Sequence, residues 1–183
     1  DALAGVQRTS RKMTEITNQL LLLARAESAS ASSAPVEMRQ VVSSVLEELI
    51  LAAQRRNIDL GAELADDVCV AGNEQLLTAL VANLVDNAIR YTQEGGSVTA
   101  RCRKEGEEVV LEVIDDGPGI PAEMRAHVFE RFYRGMTTVD GTGLGLSIVQ
   151  RIAQSHGGTV GVAPGPGRVG LVATVRLPAW KKD

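Results

Sequence analysis

Two features of the sequence predict a two-layer α/β sandwich. Helical periodicity alternates with short strand-like runs along most of the chain, and four of those runs fall into two close pairs joined by glycine-containing segments. Neighbouring strands that pair directly make a mostly antiparallel sheet, whereas a doubly wound parallel sheet would need a helix after every strand. With 183 residues, 44% of them hydrophobic and 23% charged, the chain can bury an ordinary core without a disulfide framework or a structural metal, and it does not read as a disordered tail. Cys69 and Cys102 are the only cysteines and share no metal-ligand spacing with His127 and His156; they read as buried free thiols and point to a reducing compartment. A formal charge of −4 with no local concentration of basic residues argues against nucleic acid as a partner. The longest apolar stretches, 20–24 and 49–53, fall well short of the ~20 residues of a membrane helix. Because it opens on Asp1 rather than Met, the chain reads as a soluble piece of something longer, with room for membrane segments upstream.

Residues 1–27 contain no proline and one glycine, and Leu3, Val6, Ser10, Met13, Thr17, Leu20 and Ala24 recur at alternating spacings of three and four, a heptad seam. Ser10 and Thr17 dilute the seam while Ile16 and Leu23 widen the apolar stripe, so the helix must pack on others, either in its own domain or in an intermolecular bundle. Residues 28–35 are small, end in a proline and read as a hinge. The α/β domain then occupies 36–183. It opens with a short strand at 36–38 and a helix at 40–56 whose Val41, Val45, Leu49 and Ala52 face inward. Strands at 58–64 and 68–71 follow, and Asn73 N-caps a long helix with Leu76, Leu77, Leu80, Val81, Leu84, Val85 and Ile89 on one face, stopped by Gly95-Gly96. Runs 97–103 and 109–115 form a hairpin around Gly106; a helix at 144–156 and a closing hairpin of 159–162 with 169–177 complete the order.

The chemistry lies in the second half, where 15 of the 18 glycines fall. In Gly141-Thr-Gly-Leu-Gly-Leu146, glycine at alternate positions lets backbone N–H groups approach an anion, and the segment runs straight into a helix N-terminus, which favours phosphate. It is neither a P-loop nor a dinucleotide fingerprint. In Asp115-Asp-Gly-Pro-Gly119, a carboxylate at the end of an apolar strand can accept a hydrogen bond from an exocyclic amine such as that of adenine, or can simply close an Asx turn. Asn83 and Asn87, spaced i, i+4, share a face of an otherwise apolar helix; they make sense if one amide oxygen meets a hard cation such as Mg²⁺ while Arg90 meets phosphate.

Together, Asn83-Leu-Val-Asp-Asn-Ala-Ile-Arg-Tyr91, Asp115-Asp-Gly-Pro-Gly119, Phe129-Glu-Arg-Phe-Tyr-Arg134 and Gly141-Thr-Gly-Leu-Gly-Leu146 resemble, in order and spacing, the N, G1, F and G2 boxes of sensor histidine kinases. The resemblance implies a mixed, mostly antiparallel sheet backed by three helices, the ATP-binding fold that these kinases share with gyrase B and the heat-shock-90 chaperones. It further implies that Asn87 binds Mg²⁺ with Asn83 in support, that Arg90 contacts phosphate, that Tyr91 packs near the base and that Asp115 recognises the adenine amine. Gly117, Gly119 and Ile120 would shape the pocket, Gly141, Thr142, Gly143, Leu144, Gly145 and Leu146 would line the phosphates, and Phe132 and Arg134 would belong to a lid over 120–140, with Arg134 reaching the γ-phosphate. Residues 1–27 resemble the second helix of the family's dimerisation and phosphoacceptor hairpin, whose first helix, with the phosphoacceptor histidine, is absent from the chain. His127 and His156 are read as structural, since neither has an acidic residue next to it in sequence.

The implied function is phosphoryl transfer from ATP to a histidine outside these residues and onward to the receiver domain of a response regulator, with ADP released. The intact protein would dimerise through the hairpin on the cytoplasmic side of an inner-membrane sensor. A non-catalytic nucleotide-binding regulatory module and an anti-sigma-type serine kinase are the alternatives.

Overall fold

The computed structural model describes residues 2–28, 34–134 and 141–181. Most of the proposed hinge, 29–33, and the part of the proposed lid at 135–140 lie outside the described residues. A long helix α1 (Ala2–Ser28) precedes β1 (Pro35–Glu37), α2 (Met38–Gln54), β2 (Asp59–Leu64), β3 (Cys69–Ala71), α3 (Glu74–Tyr91), β4 (Ser97–Glu105), β5 (Glu108–Asp115), α4 (Gly145–Ser155), β6 (Thr159–Pro164) and β7 (Leu171–Pro178). Five strands form one sheet in the order β2-β4-β5-β7-β6, and β1 pairs with β3 in a small two-stranded sheet. Within the large sheet only β2 and β4 run parallel, and the crossover such a pair requires is supplied by β3 and α3. The architecture is the two-layer sandwich expected from the alternation of periodicities.

Local chemistry sets the boundaries. Asn73 caps α3 by accepting from the Leu76 N–H at 3.1 Å. Helix α2 starts at Met38 and stops at Gln54, two residues earlier at each end than the 40–56 expected from periodicity, and it stops there because Asn57 adopts a left-handed conformation (φ 53°). The Ile58 and Asn57 N–H groups then bond back to the Ala53 and Gln54 carbonyls, a Schellman closure. β7 begins at Leu171 rather than 169, since a short 3₁₀ turn at Pro166–Arg168 occupies the loop before it.

One face of the sheet packs on α2, α3 and α4. Met38, Val42 and Val45 of α2, Leu77, Leu80 and Val81 of α3, and Leu144, Ile148 and Ile152 at α4 meet Val98, Leu111 and Val175 in a continuous apolar core. Cys102 lies in the same core; burial pushes its thiol up to about 11, which leaves it unreactive. The other face carries a ladder of ion pairs, Glu63–Arg101, Arg103–Glu112 and Arg176–Glu105 among them. Val110, which sits in register between Arg103 and Arg176, is fully buried on that face, which we ascribe to the aliphatic stems of the two arginines.

The heptad expectation for α1 is realised on two faces at once. Leu23 and Ala26 are buried against the α/β domain, with Ile16 and Leu22 half-buried beside them, whereas Val6, Met13 and Leu20, at intervals of seven, stay exposed, the first two along a groove that also includes Ser10 and Thr17. Among the described residues no helix is long and apolar enough to cross a membrane.

His156 ties the start of α3 to the end of α4. Its Nδ1 lies 2.8 Å from the Ile152 carbonyl and must carry the hydrogen, so Nε2, 3.1 Å from the Asn73 N–H, accepts. Replacing His156 with Ala should leave the Asn73 N–H without its acceptor and cost about 1–3 kcal/mol of stability, read as a lower urea midpoint; an unchanged midpoint would show that the bond is dispensable.

Candidate functional site

The two asparagines and the second glycine cluster, separated by more than fifty residues in sequence, meet where α4 begins. A Cβ placed on Gly145 would lie 3.1 Å from Asn87 Nδ2 and 3.3 Å from Asn83 Oδ1, so the first turn of α4 sits close on the two amides and a side chain there would make them give way. Asn83 is oriented by donating from Nδ2 to the Ala79 carbonyl at 2.7 Å, which leaves its Oδ1 toward the glycine. Two amide oxygens beside a helix N-terminus form a donor set that fits a hard divalent cation together with phosphate. Arg90, on the last turn of α3, is held by Asp86 at 2.7 Å, one helical turn back.

The remainder of the glycine cluster is shaped by backbone contacts. Gly143 takes φ 72°, a Cβ there would lie 2.8 Å from the Phe132 backbone, and its carbonyl accepts from the Phe132 N–H at 2.9 Å. Phe132 itself has φ 64°, a conformation that costs energy for a bulky residue, and its ring is 61% exposed. Thr142 Oγ1 donates to Gln19 Oε1 of α1 at 2.7 Å and accepts from the Leu144 N–H at 3.3 Å. Leu144 is fully buried in the apolar core, so only its backbone can face a ligand, while Leu146 and Gly141 are half-buried.

Asp115 ends β5 with only 8% of its surface exposed, and its Oδ1 accepts from the Gly117 N–H at 3.0 Å. Burial raises its carboxyl above the ordinary 3.8, opposed by the N–H groups of Gly117 and Leu171 and reinforced by Asp116. Gly117 lies against the Tyr91 carbonyl, and Gly119 against that of Gly170. Tyr91 is 38% exposed at the end of α3. Ile120 is half-buried and its carbonyl accepts from Arg125 Nε; Arg134 is exposed at the last described position before 135.

Two residues beside the site, Gln19 and Arg56, carried no legible signal, and Asp116 stood in the first glycine cluster with no role read for it. Gln19 reaches Thr142 across 123 positions of sequence. Asp116 accepts from the Ser97 N–H and hydroxyl at 2.9 Å, tying the first glycine cluster to the start of β4. Arg56 donates to three carbonyls at the end of α3. His127 has no acidic residue adjacent in sequence, as read; its acidic partner, Glu130 Oε1 at 2.7 Å, lies three residues on, brought near by the turns after Met124. Among the described residues no cluster of three His, Cys, Asp or Glu side chains could hold a metal ion.

Residues 72–181 match the family described as histidine kinase-, DNA gyrase B-, and HSP90-like ATPase. The chain is 37% identical over 185 residues to the sensor protein kinase PmrB of Pseudomonas aeruginosa, covering 99% of this chain and 39% of that protein. It is 35% identical to the probable sensor histidine kinase TcrY of Mycobacterium tuberculosis, covering 98% of this chain and again 39% of the relative, so the chain spans about two fifths of such proteins. Among solved structures, the mycobacterial sensor histidine kinase MprB superimposes with a TM-score of 0.72 at 32% identity, over 82% of this chain and 99% of that one. Full-length ShkA in complex with AMPPNP gives a TM-score of 0.83 at 28% identity, over 96% of this chain and 38% of that one.

Two outcomes follow from the geometry. Gly145→Ala should keep the fold, since alanine favours a helix by up to ~1 kcal/mol over glycine, while its Cβ displaces the asparagine amides and lowers Mg-ATP affinity about tenfold or more by calorimetry; unchanged affinity would remove the amides from the site. The second concerns Asp115, whose raised pKa means that protonation favours the folded chain. The stability it contributes is complete below 3.8 and is lost as pH rises through the raised value. Relative to Asp115→Asn, the parent should therefore gain melting temperature as pH is lowered across that interval, and a pH-independent difference would contradict the burial effect.

Proposed function

Because the chain belongs to the histidine kinase-, DNA gyrase B- and HSP90-like ATPase family, we propose that residues 36–183 are the ATP-binding catalytic domain of a sensor histidine kinase. We propose equally that α1 is the second helix of its dimerisation and phosphoacceptor hairpin, and 28–35 the hinge. The observation that carries the reading is the seating of Gly145 against Asn83 and Asn87, which joins a phosphate-binding helix start to a pair of hard oxygen donors.

In this mechanism Asp115 accepts the adenine amine, and the backbone N–H groups of 141–145 with the N-terminus of α4 hold the phosphates. Arg90 turns from Asp86 to phosphate, and Arg134 reaches the γ-phosphoryl group. Asn87, supported by Asn83, would hold Mg²⁺, which when bound supplies neutralising charge to the phosphates. The chain thereby positions the γ-phosphorus and balances its charge, as phosphoryl transfer requires. The acceptor is a histidine nitrogen on the hairpin's first helix, outside these residues; the bond from the γ-phosphorus to the bridging oxygen breaks, ADP leaves, and the phosphoryl group passes on to an aspartate of a response regulator. The exposed Val6, Met13 and Leu20 support self-association through the hairpin in the intact protein, on the cytoplasmic side of an inner-membrane sensor. The complex of ShkA with AMPPNP supports an adenine nucleotide as the ligand.

Radiolabelled ATP tests the proposal. A dimeric hairpin bearing the phosphoacceptor histidine, added as a separate polypeptide, should acquire acid-labile, base-stable phosphate, slowly because docking then depends on concentration. The chain alone should acquire none at His127 or His156. Tight ATP binding with no label on the hairpin would favour a nucleotide-binding regulatory module instead.

A further inference from the structure

The end of α3 is held by a residue that belongs to neither the asparagine helix nor the glycine clusters. Arg56, two positions after α2, donates from one terminal nitrogen to the Ile89 and Arg90 carbonyls at 2.7 and 2.6 Å, and from the other to the Thr92 carbonyl at 2.9 Å. The last carbonyls of a helix have no partner within it and carry its negative partial charge, so a planar cation with several fixed donors suits them. The Thr92 N–H closes on Ala88, and Thr92 is fully buried with an Oγ1 that has no partner among the described residues.

The carbonyl that Arg56 does not take is that of Tyr91, and it points at the first glycine cluster. A Cβ on Gly117 would sit 3.0 Å from the Tyr91 oxygen and 3.0 Å from Asp115 Oδ1, and the Gly117 N–H donates to that same carboxylate oxygen. From the other side, Gly96 is wedged between Thr92 and the Asp116 carboxylate, which is itself bonded to Ser97. A displacement of the α3 end therefore pushes on Gly117, and Gly117 carries Asp115 with it.

We infer that Arg56 is a positioning residue for base recognition: by clamping the Ile89, Arg90 and Thr92 carbonyls it fixes the Tyr91 carbonyl against Gly117 and so sets the Asp115 carboxylate. This rests on the reading of Asp115 as the group that selects adenine. The asparagine amides lie one to two turns further back along α3, so the clamp acts on the base side of the site and leaves the metal side alone.

The full chain, with Arg56→Lys and Arg56→Gln, is titrated with ATP and GTP at a temperature where each variant is folded, with and without Mg²⁺. Arg56→Gln should weaken ATP roughly tenfold, as expected for loss of hydrogen bonds from a charged donor, and leave GTP and the Mg²⁺ dependence unchanged; Arg56→Lys, with a single donor head, should fall between. A loss of folded fraction alone would weaken both nucleotides equally, and that result, or an unchanged ATP-to-GTP ratio, would overturn the inference. The Gly117 amide resonance of the nucleotide-free chain gives a second readout that does not depend on binding, and it should move in Arg56→Lys. If the parent bound no nucleotide, the kinase reading would fail on its own, while a stationary Gly117 signal would still overturn the clamp.

Discussion

Helix α4 sets its first turn close against α3 because the residue at the crossing, Gly145, has no side chain, and the rest of the candidate site inherits its geometry from that approach. The backbone comes within van der Waals reach of Asn83 and Asn87, which sets the separation of the two helices at one end of the layer. Leu144, immediately before, is driven into the core by the same packing, so the glycine loop is anchored by apolar burial on one side and by amide contact on the other. A loop of alternating glycines would by itself sample many conformations, and this anchoring leaves it few.

Around Asp115 the device is different. Close contacts at Gly96 and Gly117 are combined there with hydrogen bonds: Asp115 accepts from Gly117, Asp116 from Ser97, and the end of α3 is held by Arg56. Burying the Asp115 carboxylate opposes its ionisation, and the Gly117 and Leu171 N–H groups offset part of that cost. Such a preset acceptor suits discrimination between nucleobases, because a partner lacking the matching donor would leave a buried carboxylate unpaired.

Helix α1 connects the site to whatever lies beyond the domain. Its C-terminal half gives Leu23 and Ala26 to the α/β core, and Gln19 is bonded to Thr142 inside the glycine loop, while Val6, Met13 and Leu20 remain on the surface at heptad intervals. Helix α1 thus touches the glycine loop through Gln19 and leaves an exposed apolar seam along its length. The contact at Thr142 is a hydroxyl-to-amide hydrogen bond of 2.7 Å.

Periodicity and capping chemistry in the sequence determined the elements and their order, since Asn73, Gly106 and the alternating apolar positions of 97–103 and 109–115 act through neighbours a few residues away. The four boxes were legible as a resemblance for a related reason: each is a contiguous run, readable without knowledge of the packing. Only the tertiary structure decided that the heptad helix uses two faces, that Glu130 partners His127, and that Gln19, Asp116 and Arg56 brace the site. Arg56 and the carbonyls it binds stand more than thirty positions apart, and a backbone carbonyl has no residue type by which a sequence could announce it; which donor finds it depends on how α2, α3 and the sheet pack.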